Sequence, residues 1–185
     1  VAVAKPIIDD PFPIAGVTLL AAPEFAAVAW GAQWKMLPER SLLGFSATFE
    51  GEAFDGRFHH FVADIRFDPE DLGQCEFRVT VDLSSADTAS PDRDRALAEP
   101  IWFDVTHYPR AAYHAYAFRR IETGHFEADG DLRLKGVRRA VPIRFRWNET
   151  ADGATLTGEA KIRRTEFTVG SGEWAQDPTV GFDVP

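Results

Sequence analysis

The sequence predicts an all-β protein: an antiparallel up-and-down β-barrel of eight strands, with one short helix between the third and fourth strands. Apolar and polar residues alternate with a period of two along most of the chain after Leu42, which is typical of strands with one buried face. Turn signals that contain glycine or aspartate separate these segments. The chain has 15 Phe and 5 Trp but only 3 Tyr, so its interior must accommodate many purely apolar rings. A β-sandwich is the alternative that this pattern leaves open.

The alternating segments define the predicted strands in order. The first covers 43–49 and is followed by a turn at Asp55–Gly56 and a bulge near His59–His60. The helix is predicted over about 92–98, after Pro91, which is well placed at the start of a helix. The remaining strands are predicted over 61–67, 77–83, 112–121, 126–135, 141–147, 156–162 and 179–184.

The length of the chain, 185 residues, suits one domain with a substantial core. We assign residues 34–185 to the barrel domain, whose last strand is cut short. Residues 1–33 form an N-terminal extension in which the apolar run from Ile14 to Ala22 resembles a signal-peptide core. A tether, a leftover signal and a segment packed on the barrel all remain open for this extension. An unclosed barrel edge would invite pairing with another chain, which leaves a homodimer open.

The charge of the chain argues against a nucleic-acid partner. Its formal net charge is -9, so a phosphate backbone would repel it unless it carried a local basic stripe. The basic clusters Arg119–Arg120 and Arg138–Arg139 are short, and such pairs are typical of solvated turns.

Chemistry-bearing motifs are weak in this sequence. The single cysteine, Cys75, excludes a disulfide within the monomer. The histidines lack metal-ligand spacing, and no nucleophile elbow, zinc-protease pair or phosphate-binding loop is present. We therefore expect no catalytic residues, no metal site and no cofactor.

Five segments in order give the sequence a likeness to a known family. The most specific one runs from Asp87–Thr88 through Arg93–Asp94 and Trp102–Asp104 to Tyr108–Pro109. The others are Trp34, Ser41 and Phe45; Phe58 and Phe61 with 67–69; Gly130, Leu132 and Leu134 with Gly136–Val137; and Ile162, Arg164 and Phe167. In these segments the chain resembles the YceI-like family of lipid-binding barrels. It departs from the family at Thr168, where glycine is usual, and at 50–52, where a histidine followed by glycine is frequent.

The resemblance implies a lipocalin-like barrel that holds isoprenoid chains, quinones or fatty amides. It also implies export, to the bacterial periplasm or as a secreted protein. The chain is similar to a branch in which the barrel is found beside a membrane di-haem cytochrome, and that cytochrome would then be a partner.

The candidate ligand-binding residues are large apolar side chains on the predicted inner faces. They are Phe45, Phe49, Phe58, Phe67, Phe77, Val79, Val81, Trp102, Phe103, Phe126, Leu132, Phe145, Trp147 and Phe167. Small residues on the same faces, such as Ala128 and Gly158, favour a tunnel between these side chains, whereas a filled core is the alternative. Arg164 interrupts the apolar face of the seventh strand and needs a partner there. That partner is Asp94 or Asp104 in a structural interpretation, or the headgroup of a ligand in a functional one.

The expected function is the binding, transport or sequestration of a long apolar lipid, a polyisoprenoid or an isoprenoid quinone, without catalysis. Its tail would lie inside the barrel and would be held mainly by apolar burial. Two other functions remain open: a filled barrel that docks on a membrane cytochrome, and an enzyme that modifies a lipid or quinone.

Overall fold

The computed structural model describes residues 15–21, 33–49, 52–150, 153–172 and 183–184, most of which lie in antiparallel strands. One α-helix, α1, covers Pro91–Ala98. The strands are β1 (Ala15–Ala21), β2 (Gln33–Met36), β3 (Leu43–Phe49), β4 (Glu52–Phe58), β5 (Phe61–Arg66), β6 (Glu76–Asp82), β7 (Ala86–Asp87), β8 (Arg110–Glu122), β9 (His125–Leu134), β10 (Val137–Ala140), β11 (Ile143–Thr150), β12 (Gly153–Glu159), β13 (Ile162–Arg163) and β14 (Asp183–Val184). Short 3-10 turns cover Pro38–Arg40, Leu72–Gln74, Leu83–Ser85 and Arg164–Phe167.

The main sheet closes on itself through β9. Its strand order is β10-β9-β11-β12-β1-β2-β5-β6-β8, and β8 pairs again with β9. Every one of these pairings is antiparallel. The predicted all-β antiparallel fold is therefore confirmed, and α1 lies between the predicted third and fourth strands, which are β6 and β8. In the described part of the chain, no helix has the length and apolar character needed to cross a bilayer.

The period-two alternation sets which side chains face inward. In the β5–β6 pair, Ile65 lies opposite Phe77, and both are buried. Asp64 lies opposite Arg78 on the other face, and both are exposed. Because successive side chains in a strand point to opposite faces, one register buries the whole apolar set of both strands.

The strands that form the closed sheet differ from the predicted set. The predicted first barrel strand is β3, but it pairs with β4 in a separate three-stranded sheet with β7. Two strands from nearer the N-terminus, β1 and β2, complete the closed sheet by pairing with β12 and β5. Only four residues make up β2, which is too short a stretch for its alternation to stand out in the sequence.

The predicted turn at Asp55–Gly56 is wrong, because both residues lie inside β4. Phe45 lies opposite Gly56 and covers it with its ring, so a Cβ at Gly56 would lie within van der Waals overlap of that ring. Ser46 Oγ donates to Asp55 Oδ1 at 2.6 Å across the same strand pair. The glycine thus serves close cross-strand packing and not a turn. The predicted bulge at His59–His60 is a break between β4 and β5.

Two of the predicted strands differ from the observed ones. The predicted sixth strand, 141–147, begins only at Ile143 as β11, and residues 137–140 form a separate strand, β10; both pair with β9. Pro142 lies in the break and cannot donate to the ladder, while the neighbouring N–H of Val141 donates to the Gly130 carbonyl at 2.8 Å. The predicted seventh strand is split into β12 and β13, and Ile162 of β13 pairs with Val184 of β14. Residues 179–182 of the predicted eighth strand lie outside the described part.

Thr168 ends the 3-10 turn Arg164–Phe167 in the left-handed region, with φ 57°. Its N–H donates to the Thr165 carbonyl at 3.2 Å, as at many helix ends that glycine occupies. A side chain with a Cβ is disfavoured in this conformation. The backbone geometry explains why glycine is usual at this position in the family that the sequence resembles.

We predict that Thr168→Gly raises the free energy of unfolding by about 0.5–1 kcal/mol, because relief of the left-handed strain outweighs the extra entropy of glycine in the unfolded chain. Urea denaturation measures the change. The control is Thr155→Gly on the exposed face of β12, which should lower stability because glycine weakens a regular strand. A loss of stability in Thr168→Gly would contradict the prediction.

Candidate functional site

The interior of the closed sheet is divided into two apolar clusters. We call the first the aromatic core; its predicted site residues are Phe67, Phe77, Phe126, Phe145 and Trp147. Phe67 is fully buried, and its ring centroid lies 5.0 Å from that of Phe126, 5.3 Å from Phe145 and 4.8 Å from Trp147. Rings at these distances are in direct contact. This packing favours a core role for these five side chains.

Several further residues complete the aromatic core and were not among the predicted site residues. Trp34 packs edge-on against Trp147 with centroids 5.0 Å apart, and its Nε1 donates to the Phe67 carbonyl at 2.8 Å. Val79, a predicted site residue, is partly buried and packs against this core. The other additions are Met36, Ala63, Ile65, Phe118, Ala128 and Leu156.

The second cluster contains most of the other predicted site residues and is less completely packed. Phe103 and Phe167 are buried in it. The other predicted residues are half-buried although they pack into the cluster: Phe58, Val81, Trp102 and Leu132. Each of these apolar side chains packs into the cluster and keeps surface that protein atoms do not cover. We call the region that this uncovered surface borders the compartment.

The compartment has walls from both sheets. Phe58 comes from β4 and Val81 from β6, whereas Leu132 comes from β9. Phe45 extends the wall, since its ring lies 5.2 Å from that of Phe58, which lies 6.2 Å from Phe103. The side chain of Phe49 lies outside the described part. Residues that sequence reasoning missed are Leu83, Leu97, Val105, Ala111, Leu134, Val137, Val141, Ala160, Ile162 and Val169.

Tyr113 separates the two clusters and packs against both. Its hydroxyl donates to the Val141 carbonyl at 2.9 Å, at the break between β10 and β11. Burial raises the pKa of this hydroxyl, which keeps it neutral and a hydrogen-bond donor. The ring lies over Gly130, where a Cβ would be 2.5 Å from the tyrosine oxygen. Gly130 therefore creates the room that the dividing side chain occupies.

Arg164 is buried beside the second cluster, with 3% of its surface exposed. Its Nη1 donates to the carbonyls of Val169 and Gly170, both at 3.1 Å, and its guanidinium lies 6.0 Å from the centre of the Trp102 ring. These contacts hold the turn that follows Phe167. These contacts are structural, as in the structural interpretation of Arg164. The described hydrogen bonds go to carbonyl groups, and the pairing with Asp94 or Asp104 stays a prediction.

The carbonyl of Ile101 joins the segment that carries Trp102 and Phe103 to the rest of the barrel. It accepts from the N–H groups of Gly170 at 2.9 Å and Ser171 at 3.2 Å, and from Lys135 Nζ at 3.2 Å. Burial lowers the pKa of Lys135, which also donates to the Thr168 carbonyl at 3.0 Å. This bonding fixes one end of the compartment.

The segment from Asp87 to Asp94, which begins the most specific stretch of the family resemblance, forms a hydrogen-bonded scaffold. Thr88 is buried, and both its N–H and its Oγ1 donate to Asp94 Oδ1, at 2.9 and 2.6 Å. The neighbouring Asp87 accepts from the N–H of Ala89 and contacts His59 at 2.9 Å and Arg57 at 3.1 Å. These partners lower the pKa of Asp87 to about 2. The stretch therefore anchors α1 beside the compartment.

Polar groups elsewhere in the described part of the chain are mostly paired or isolated. Within the described residues, no cluster of three or more His, Cys, Asp or Glu side chains could hold a metal ion. Cys75 is buried, and burial raises the pKa of its thiol, which disfavours the nucleophilic thiolate. A polar depression is lined by paired charges and suits no apolar ligand: Gln33, Asp64, Arg66, Glu76 and Arg78.

Comparison with known proteins agrees with this architecture. A profile of the YceI-like domain matches residues 34–185. The chain belongs to the YceI-like family. A UPF0312 protein of Photorhabdus laumondii is 25% identical over 163 residues, which cover 82% of this chain and 84% of that protein. The crystal structure of Burkholderia cenocepacia BcnA matches with a TM-score of 0.77 and 26% identity, over 80% of this chain and 93% of that one.

A third likeness is more distant in sequence. A polyisoprenoid binding domain from Saccharophagus degradans has a TM-score of 0.62 and 14% identity, and the match covers 94% of both chains. At this identity the likeness shows a shared fold. The assignment to a branch found beside a membrane cytochrome stays a prediction.

We predict that Gly130→Ala lowers the free energy of unfolding by about 1–3 kcal/mol, the usual cost of overpacking a core. The new methyl group would overlap the Tyr113 hydroxyl and the His114 carbonyl, which lies 2.7 Å from the Cβ position. Urea denaturation measures the loss. Gly73→Ala is the control, because its nearest neighbour is 3.6 Å away. Equal stability of the two variants would refute the packing role of Gly130.

We predict that Asp87 titrates near pH 2, below its ordinary value of 3.8. Because its pKa is lower in the folded chain, its partners stabilise the fold above about pH 4, and that contribution is lost as the pH falls toward 2. NMR of the side-chain carboxyl carbon measures the midpoint. Arg57→Gln and His59→Gln should each move it upward. An ordinary midpoint in the unaltered protein would disprove the bonding described for Asp87.

Proposed function

We propose that the chain binds one long apolar lipid of the isoprenoid class in the compartment, without catalysis, and carries or sequesters it. The observation that carries this proposal is the incomplete packing of the second cluster. Phe58, Val81 and Leu132 point into it from three different strands and remain half-buried. A flexible apolar chain would bury the surface that these side chains leave accessible.

The energetics favour such a ligand. Burial of apolar surface contributes about 25 cal/mol per Å², or about 0.8 kcal/mol per buried methylene group. A tail of several prenyl units would therefore bind through apolar contact alone, even after the loss of its own conformational freedom. An isoprenoid quinone satisfies the same requirement, with its ring at one end of the compartment.

The polar groups around the compartment favour a binding function over a catalytic one. The Tyr113 hydroxyl bonds a backbone carbonyl, Arg164 bonds two of them, and Thr88 bonds Asp94. In the described part of the chain, no buried side-chain nitrogen or oxygen lacks a hydrogen-bond partner. Groups already committed to structural bonds are poorly placed to act as general acids or bases.

Family membership supports the proposed ligand class and the proposed cellular location. The related fold from Saccharophagus degradans is a polyisoprenoid binding domain, and its likeness extends over most of this chain. We extend that ligand class to this protein as part of the proposal, together with residence in the bacterial periplasm or secretion. A membrane cytochrome is the partner in the alternative function, a filled barrel that docks on it. The dense aromatic core favours the filled barrel.

Native mass spectrometry, followed by solvent extraction, tests the proposal. We predict that the purified protein carries an apolar species that organic solvent releases, and that Val81→Trp lowers its occupancy at least about tenfold. Overpacking a site costs about 1–3 kcal/mol, and Val81 faces the compartment. Val62→Trp is the matched control, since Val62 is 59% exposed on the outer face of β5 and should leave occupancy unchanged.

Two outcomes would count against the proposal. A bare mass from several expression hosts would favour the filled-barrel interaction domain. Equal lipid content in Val81→Trp and Val62→Trp, with both variants folded by circular dichroism, would place the lipid outside the compartment.

A further inference from the structure

The end of β9, the turn and β10 together form a strongly basic element in an acidic chain. We call residues 131–140 the basic hairpin; it has four cationic side chains and one carboxylate. The chain as a whole has a formal net charge of -9. Lys135 is occupied by backbone carbonyls, so the exposed cations of the basic hairpin are Arg133, Arg138 and Arg139.

Two of these arginines lie side by side. Arg138 is directly opposite Arg133 in the β9–β10 register. Like charges in opposite positions of a strand pair destabilise it. Asp131 accepts from Arg138 at 2.5 Å and neutralises one of the three guanidinium groups. The Arg133 guanidinium adds like charge beside this pair, and an external anion would offset that charge.

Exposed tyrosines lie on the elements next to the arginines. Tyr108 is 38% exposed and lies against Gly136 in the turn of the hairpin. Tyr116 is 52% exposed and lies at the bulge of β8 that faces Gly130 and Asp129 of β9. Tyrosine and arginine together are typical of surfaces that rest at the headgroup level of a membrane, since each has an apolar body and a polar end.

The basic hairpin is also a wall of the compartment. Leu132, Leu134 and Val137 pack into the second cluster, whereas Arg133 and Arg138 alternate with them on the opposite face. Arg139 lies opposite Leu132 and therefore shares the face of Leu132. A surface bound to Arg133 and Arg138 would lie directly behind the wall that the proposed lipid contacts.

We propose that the basic hairpin docks the protein on an anionic phospholipid surface, with the compartment held beside the source of its lipid. The docking site stands on the charge and exposure of the hairpin, whereas its purpose rests on the proposed function. Arginine binds phosphate groups through two parallel hydrogen bonds. Membrane lipids diffuse to meet such groups, so the two outward arginines need no built pocket. The acidic remainder of the chain is repelled by the same surface, which orients the protein with this hairpin toward the membrane.

Co-sedimentation with protein-free vesicles tests this docking. Vesicles of phosphatidylcholine and phosphatidylglycerol in equal parts are compared with vesicles of phosphatidylcholine alone, using the full chain. Each basic residue near an anionic surface contributes about fivefold in affinity. We therefore expect binding to the anionic vesicles only, weaker binding at high salt, and a roughly 25-fold loss of affinity in the double variant R133Q/R138Q.

The control removes the same charge elsewhere on the surface, from two exposed arginines outside the hairpin. It is the double variant R40Q/R95Q, which should keep its affinity for the anionic vesicles. Thermal denaturation establishes that both variants fold. Equal losses in the two variants, or equal binding to both kinds of vesicle, would overturn the proposal.

Two further readouts separate this proposal from others. Lipid content is measured on the same preparations; an R133Q/R138Q variant that keeps its lipid but loses the vesicles supports docking as a separate property. Absence of lipid from every preparation would contradict the proposed function and leave the docking result to stand alone. Binding to native membrane vesicles but not to protein-free ones would overturn docking on lipid and identify a protein partner.

Discussion

Closure of the main sheet through β9 is the constraint on which the rest of the structure depends. β9 is hydrogen-bonded to β8 along one edge and to β10 and β11 along the other, so its backbone groups are satisfied on both sides. A closed sheet gives every strand an inner and an outer face. The period-two alternation then decides which side chains are enclosed, as Ile65 and Phe77 are, and which meet water, as Asp64 and Arg78 do.

The enclosed volume is then divided by one polar side chain. Tyr113 reaches the Val141 carbonyl because Pro142 interrupts the strand there and because Gly130 leaves room beneath the ring. On one side of it, aromatic rings contact each other and fill the space. On the other side, the strands are joined by α1, the segment after it and the turn at Arg164, which meet through carbonyl groups such as that of Ile101. Such irregular segments pack less tightly than facing strands, and the half-buried residues lie among them.

The sequence was informative where a pattern is local and repeated. Alternation located β6, β8 and β9 and placed Phe67 and Phe77 on an inner face, while Pro91 located the start of the helix. It could not show that Gly56 lies under the ring of Phe45, since a close approach between two strands has the same sequence signal as a turn. Nor could it assign Phe67 to a filled core and Phe58 to an open compartment, because both belong to the same alternating pattern. That distinction depends on which strands face each other across the barrel, a property of closure and not of any one segment.

The same reasoning explains why the polar residues of the family segments do not identify the ligand. Asp87, Thr88, Asp94 and Arg164 bond the backbone or one another, and a barrel with a different cargo would need the same bonds to hold α1 and the turn in place. In the proposed function, selection between apolar ligands depends on the length and width of the region between Phe58, Val81 and Leu132. Because apolar burial is roughly proportional to area and has no direction, a substitution that changes this space by one side chain should alter which tails fit, while it leaves the scaffold unchanged.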